Sequence, residues 1–126
     1  MREPILYEFN PIIYPVKLWI VKYPNENFIH ENFEEPDGTK LNLDIYDHHV
    51  LATYNQPVVN KKNEEYGILS SIASNPDIGE IAHEATHIAK FIWEHLGEYE
   101  MGQEANAYLI QWITYCFWKI KINKAK

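Results

Sequence analysis

The sequence predicts an α+β domain, and three observations carry that expectation. The chain has 126 residues, enough for one core and too few for two. Up to about residue 74 its apolar residues alternate as they do in strands, and from Asn75 onward they recur at helical spacing. Hydrophobic residues make up 46% and charged residues 23%, so the chain has an ordinary globular balance. It reads as one domain over 1–126, a β-rich half at 1–74 followed by a two-helix half at 75–126.

In the β-rich half, Val16, Leu18 and Ile20 alternate with Lys17, Trp19 and Val21, and Pro15 and Pro24 bracket the run. Pro36-Asp37-Gly38 makes a turn before a second alternation at Leu41, Leu43 and Ile45. A third run, Val50 to Val59, meets the polar segment 60–65, and Tyr66 to Ala73 then reads as a partly buried strand. These last two are expected to form a hairpin across 60–65. Residues 25–40 are acidic and irregular, and they read as a surface loop. Three to five strands drawn from residues 5–74 are expected to form the sheet.

The helical half starts with Asn75-Pro76-Asp77. Asn75 or Asp77 can cap, Pro76 suits a first helical position, and Asp77 with Glu80 fits a capping box. Ile78, Ile81, Ala85, Ile88, Ile92 and Leu96 keep the helical period, and Gly97 stops it. Helices are therefore expected over 77–96 and from about Gln103 to at least residue 120.

Charge and cysteine content narrow the function classes. A net charge of -7 argues against nucleic-acid or anionic-membrane surfaces, which need clustered Lys and Arg. The basic residues Lys119, Lys121, Lys124 and Lys126 read as a solubilising end that complements the helix dipole. Cys116 is alone, so no internal disulfide forms and a reducing, cytoplasmic setting is expected. No signal peptide is expected, since MREPILYEFNP has no long apolar core, and no membrane span, since the most apolar stretch, 105–122, is broken by polar residues.

The chemistry concentrates in IAHEATHIAKFIWEHLG, residues 81–97. At about 100° per residue, His83 and His87 fall roughly opposite the aliphatic arc of their helix and about 40° from each other. They are either two solvated histidines or a metal-binding pair. Positions i and i+4 share a face, so both imidazoles can reach one tetrahedral zinc. Glu84, one step around, can take a proton from a metal-bound water without being a ligand. A catalytic zinc needs a third protein ligand. Glu94 and His95 lie about 10 and 12 Å further along the helix than His87, out of reach. The candidates after the Gly97 reversal are Glu98, Glu100 and Glu104, of which Glu104 is preferred because a second helix would hold it rigidly.

HEATH followed 17 residues later by Glu104 in GQEANAYLIQWI resembles the gluzincin branch of zinc metallopeptidases, especially its minimal single-domain forms. More loosely, it is similar to small zincin-like proteins of phages and prophages. The resemblance spans about residues 66–118, with motif support only at 83–87 and 104–108. It implies a zincin-like fold, a small, mostly antiparallel or mixed sheet over an active-site helix and a third-ligand helix. It further implies one Zn²⁺ per chain on His83, His87 and Glu104, Glu84 as base, and a peptide substrate added as a strand along 66–71. Thermolysin-like relatives carry an acidic residue four positions after the third ligand. Here that position is Tyr108, whose hydroxyl would serve as a supporting hydrogen-bond partner or a transition-state donor.

Two functions follow as expectations. One is zinc-dependent peptide hydrolysis; the other is a zinc- or peptide-binding role with little turnover, in a phage-related setting. Intact Glu84 favours the first and small size the second. His48-His49 is a weaker candidate for an accessory site, His30 and His95 read as exposed, and Cys116 reads as core.

Overall fold

The computed structural model describes residues 3–11, 16–43, 50–54, 56–97 and 102–122. Within them the chain forms β1 (Ile5–Phe9), β2 (Lys17–Lys22), α1 (Glu26–Asn32), β3 (Phe33–Glu34), β4 (Leu51–Thr53), β5 (Val58–Asn60), β6 (Tyr66–Ile72), α2 (Ile78–His95) and α3 (Gln103–Ile122). This is an α+β arrangement with one mixed sheet. It has six strands among the described residues, more than the three to five expected.

The sheet runs β1-β2-β6-β5-β3, with β4 also on β6. The β2–β6 pairing is parallel, with Lys17 opposite Gly67 and Lys22 opposite Ile72, and the other described pairings are antiparallel. Both central strands are covered on both faces, so their buried residues are consecutive rather than alternating with exposed ones. Leu18, Ile20 and Ile68 join α2 and α3 in one core, while Trp19, Val21 and Leu69 join α1, Phe33, Leu41 and Tyr54 in the other.

Four expectations change here. Residues 25–40 are not wholly irregular. Asn25 caps Phe28 N–H and starts α1, a helix of seven residues whose Ile29 enters the second core. The run Val50 to Val59 is two strands, because Pro57 has no N–H for a ladder. β4 pairs with Ser70–Ile72 and β5 with Tyr66–Gly67 on the same side of β6. Pro76 stands before the N-cap, not at the first helical position. The β5–β6 hairpin across 60–65 forms as expected, with Asn60 N–H donating to the Glu65 carbonyl. Leu41 and Leu43 of the second alternation lie in no strand, Leu41 being buried in the second core instead, and Ile45 lies outside the described residues.

α2 begins on the capping box, where Asp77 accepts from Glu80 N–H and Glu80 from Asp77 N–H, each near 2.8–2.9 Å. It ends at Gly97, whose φ of 76° suits glycine. Ile81, Ala85, Ile88, Ala89, Ile92 and Trp93 are its buried face. α3 returns antiparallel. It is tied to α2 near one end by Trp93 Nε1 donating to Asn106 at 2.9 Å, and near the other by Lys121 Nζ donating to the Pro76 carbonyl at 2.6 Å. No helix among the described residues is long and apolar enough to cross a membrane.

Candidate metal centre

The capped start of α2 fixes the rotation of the helix, and with it the direction of His83, Glu84 and His87. The two histidines are exposed and Glu84 is half-buried toward the sheet. The imidazoles converge: their Nε2 atoms are 3.1 Å apart, with ring centroids at 4.7 Å in an edge-to-face arrangement. Two donors on one tetrahedral metal with bonds of about 2.05 Å stand about 3.3 Å apart, so this pair fits a zinc ion. Phe91, one turn on, stacks on the His87 ring at 6.4 Å and 18° and restricts its rotation.

Glu84 is anchored from the sheet. Thr53 of β4 donates its hydroxyl to Glu84 Oε2 at 2.6 Å, and Thr53 Oγ1 lies 3.0 Å from Ser70 Oγ. Ser70 in turn donates to the Ala52 carbonyl at 2.8 Å. The chain Glu84–Thr53–Ser70–Ala52 therefore has three oxygen–oxygen contacts.

Beside these groups is an open cleft of roughly 510 Å³ lined by Val50, Leu51, Asp77, Glu80, His83 and Glu84. Its wall includes β4. Tyr54 N–H donates to the Leu69 carbonyl and Ala73 N–H to the Val50 carbonyl, so even-numbered positions of β4 face β6. By alternation, the backbone groups of Leu51 and Thr53 point away from it. Among the described residues β4 pairs with β6 alone, which leaves this edge open next to Glu84. The strand-addition edge expected at 66–71 does not exist. β6 is hydrogen-bonded to β2 on one side and to β4 and β5 on the other, so it has no free ladder to offer.

Glu104 is not brought to the histidines. Asn106 is level with Trp93, and His87 lies six residues before Trp93, about 9 Å down the axis. Glu104, in the first turn of the antiparallel α3, is about 3 Å further in the opposite direction. The histidines are also rotated roughly 100° around α2 from Trp93, away from α3. Among the described residues no group of three His, Cys, Asp or Glu side chains gathers to hold a metal. Tyr108 is 66% exposed on the outward face of α3, with no hydrogen bond to Glu84 or either histidine. Glu98, Glu100, His48 and His49 lie outside the described residues.

The other singled-out groups have structural roles. His30 Nε2 is 3.0 Å from the Leu41 carbonyl, and His95 stacks on Tyr66. Cys116 is buried, and that burial pushes its thiol up to about 12, which removes thiolate chemistry near neutral pH. Sequence reasoning missed Thr53 and Ser70. The one local signal is Ser70-Ser71 inside the otherwise apolar strand Tyr66–Ile72, because buried hydroxyls need partners. Comparison with family models, with curated proteins and with solved structures finds no match to this chain.

Proposed function

We propose that this protein is a small zinc-dependent peptide hydrolase in which His83 and His87 hold one Zn²⁺ per chain and Glu84 is the general base. The observation that carries the reading is the convergence of the two Nε2 atoms at 3.1 Å, next to a carboxylate fixed by Thr53. Bound there, zinc would supply an acidified water and a Lewis acid for a carbonyl oxygen. To hold the ion, both histidines would have to present unprotonated Nε2 atoms, and Phe91 stacks on the His87 ring. Thr53 holds Glu84 Oε2, which orients the carboxylate and leaves Oε1 to accept the proton of an attacking water. The open β4 edge would align an extended peptide past Glu84 by pairing with Leu51 and Thr53. A zincin-type fold and a reducing, cytoplasmic setting belong to the same proposal, supported by the helix-borne motif and the single cysteine.

A second reading, a zinc- or peptide-binding module with little turnover, is favoured by one observation. The described residues supply two converging donors, not three, and Glu104 stands apart from them. Both readings share the metal pair, so calorimetric zinc titration comes first. The parent is expected to bind one zinc. His83→Ala or His87→Ala is expected to lose more than the 10- to 100-fold typical of removing a mere supporting partner. Glu104→Ala is expected to bind as the parent does. Undiminished zinc binding by both histidine variants would overturn the site.

A further inference from the structure

α3 buries Leu109, Ile113, Cys116, Phe117 and Ile120, and directly opposite them it carries a second stripe. Glu104, Tyr108, Gln111, Tyr115 and Trp118 follow at intervals of four, three, four and three, the spacing of a coiled-coil seam. All five are exposed. Tyr108, Tyr115 and Trp118 are 66%, 53% and 42% exposed, and they are three of the five exposed large hydrophobic residues among those described. An ordinary solvent-facing helix surface alternates charges. This one has a charge only at the ends, with Glu104 at the start and exposed Lys119 beside Trp118 at the finish.

The placement of those charges identifies the occupant. When the stripe meets itself antiparallel, with layers pairing as in an antiparallel coiled coil, Tyr108 of one copy meets Trp118 of the second copy. Gln111 meets Tyr115 at the centre, and Glu104 comes within one turn of Lys119. The two-fold axis repeats each contact, so one self-complementary patch supplies both sides of the interface. A parallel arrangement would instead bring Glu104 to Glu104 and Lys119 to Lys119. Tyrosine and tryptophan give large contact area at low entropic cost, and Gln111, a polar seam residue, selects register and orientation. The face lies on the side of α3 away from α2, so its occupation leaves His83, Glu84 and the β4 edge open.

We propose that two copies of this chain associate through the exposed face of α3, antiparallel, with Tyr108, Gln111, Tyr115 and Trp118 as the seam and Glu104–Lys119 pairs at its ends. Sedimentation velocity from about 1 to about 100 μM in near-physiological salt tests it, a range that brackets a micromolar dimer. The parent is expected to pass from monomer to dimer across that range. Tyr115→Glu is expected to weaken association by about 100-fold or more, because the symmetry counts a central contact twice. Its unchanged far-UV circular dichroism would show that the fold survives, and Trp118→Arg gives a second seam variant. Glu104→Lys and Lys119→Glu should each weaken the dimer, and the double variant should restore it. A parent that stays monomeric at the top concentration overturns the proposal, as does a dimer that survives Tyr115→Glu and Trp118→Arg. Failure of the double variant to recover overturns the antiparallel register.

Discussion

α2 and α3 share one core but present opposite kinds of surface. α2 has a single apolar face, with Ile81, Ala85, Ile88 and Ile92 inward, and its outer face carries His83, His87 and the polar residues around them. α3 is apolar on two sides, with Ile113 and Phe117 inward and Tyr108, Tyr115 and Trp118 outward. A polar outer face carrying converged imidazoles suits chemistry on a small ligand. An aromatic outer face with charges only at its ends suits another helix. The two helices thus differ in what each leaves uncovered, since both inward faces are apolar.

The two sides of α3 should respond very differently to substitution. Phe117→Ala empties a fully buried site and is expected to cost about 3–5 kcal/mol in urea unfolding. A smaller effect is expected at the β4 anchor of the α2 outer face. Thr53→Val removes the hydroxyl that holds Glu84, and should lower peptide cleavage about 10- to 100-fold, as loss of a supporting partner typically does. Its zinc binding should stay close to the parent's, since Thr53 touches the base and not the ligands. The smallest effect is expected one residue beyond Phe117. Trp118→Ala, measured at low concentration where the chain is monomeric, should change stability by about 0.5 kcal/mol. A cost there comparable with that of Phe117→Ala would mean that the outer stripe packs within the monomer, and the contrast between the helices would collapse.

The elements legible in the sequence are those whose signal is local. The change of period near Asn75, the Asp77–Glu80 box and the Gly97 stop are written within one helix turn of where they act, and the structure follows them. β2 was legible from its proline brackets and its apolar run. α1 was not, because a helix of seven residues offers two turns of pattern inside an acidic stretch, although Asn25 is an ordinary N-cap. The two-sided pairing of β6 was equally hidden, since hydrogen-bond partners of a strand are chosen by tertiary contacts far along the chain.

The site divides in the same way. His83, Glu84 and His87 are related by helical spacing alone, so their common neighbourhood is readable before folding. Thr53 reaches Glu84 across 31 residues, and nothing at either position announces the other. Glu104 illustrates the remaining limit. Spacing puts it at the start of α3, but which side of α2 that helix covers depends on where Trp93, Ala89 and Leu109 fit together. That packing sets α3 roughly a quarter-turn around α2 from the histidines.

If Glu84 acts on a water held at the histidine pair, its replacement should separate peptide cleavage from metal binding. Parent and Glu84→Gln protein, each loaded with zinc and matched for metal content, would be assayed side by side on a diverse peptide library. Glu84→Gln keeps an oxygen for Thr53 to donate to, so zinc content and thermal stability should be nearly unchanged. Cleavage should fall by about 10²- to 10⁴-fold, the usual contribution of a positioned base. Cleavage that survives the substitution, or a fully loaded parent that cleaves nothing, would contradict the account.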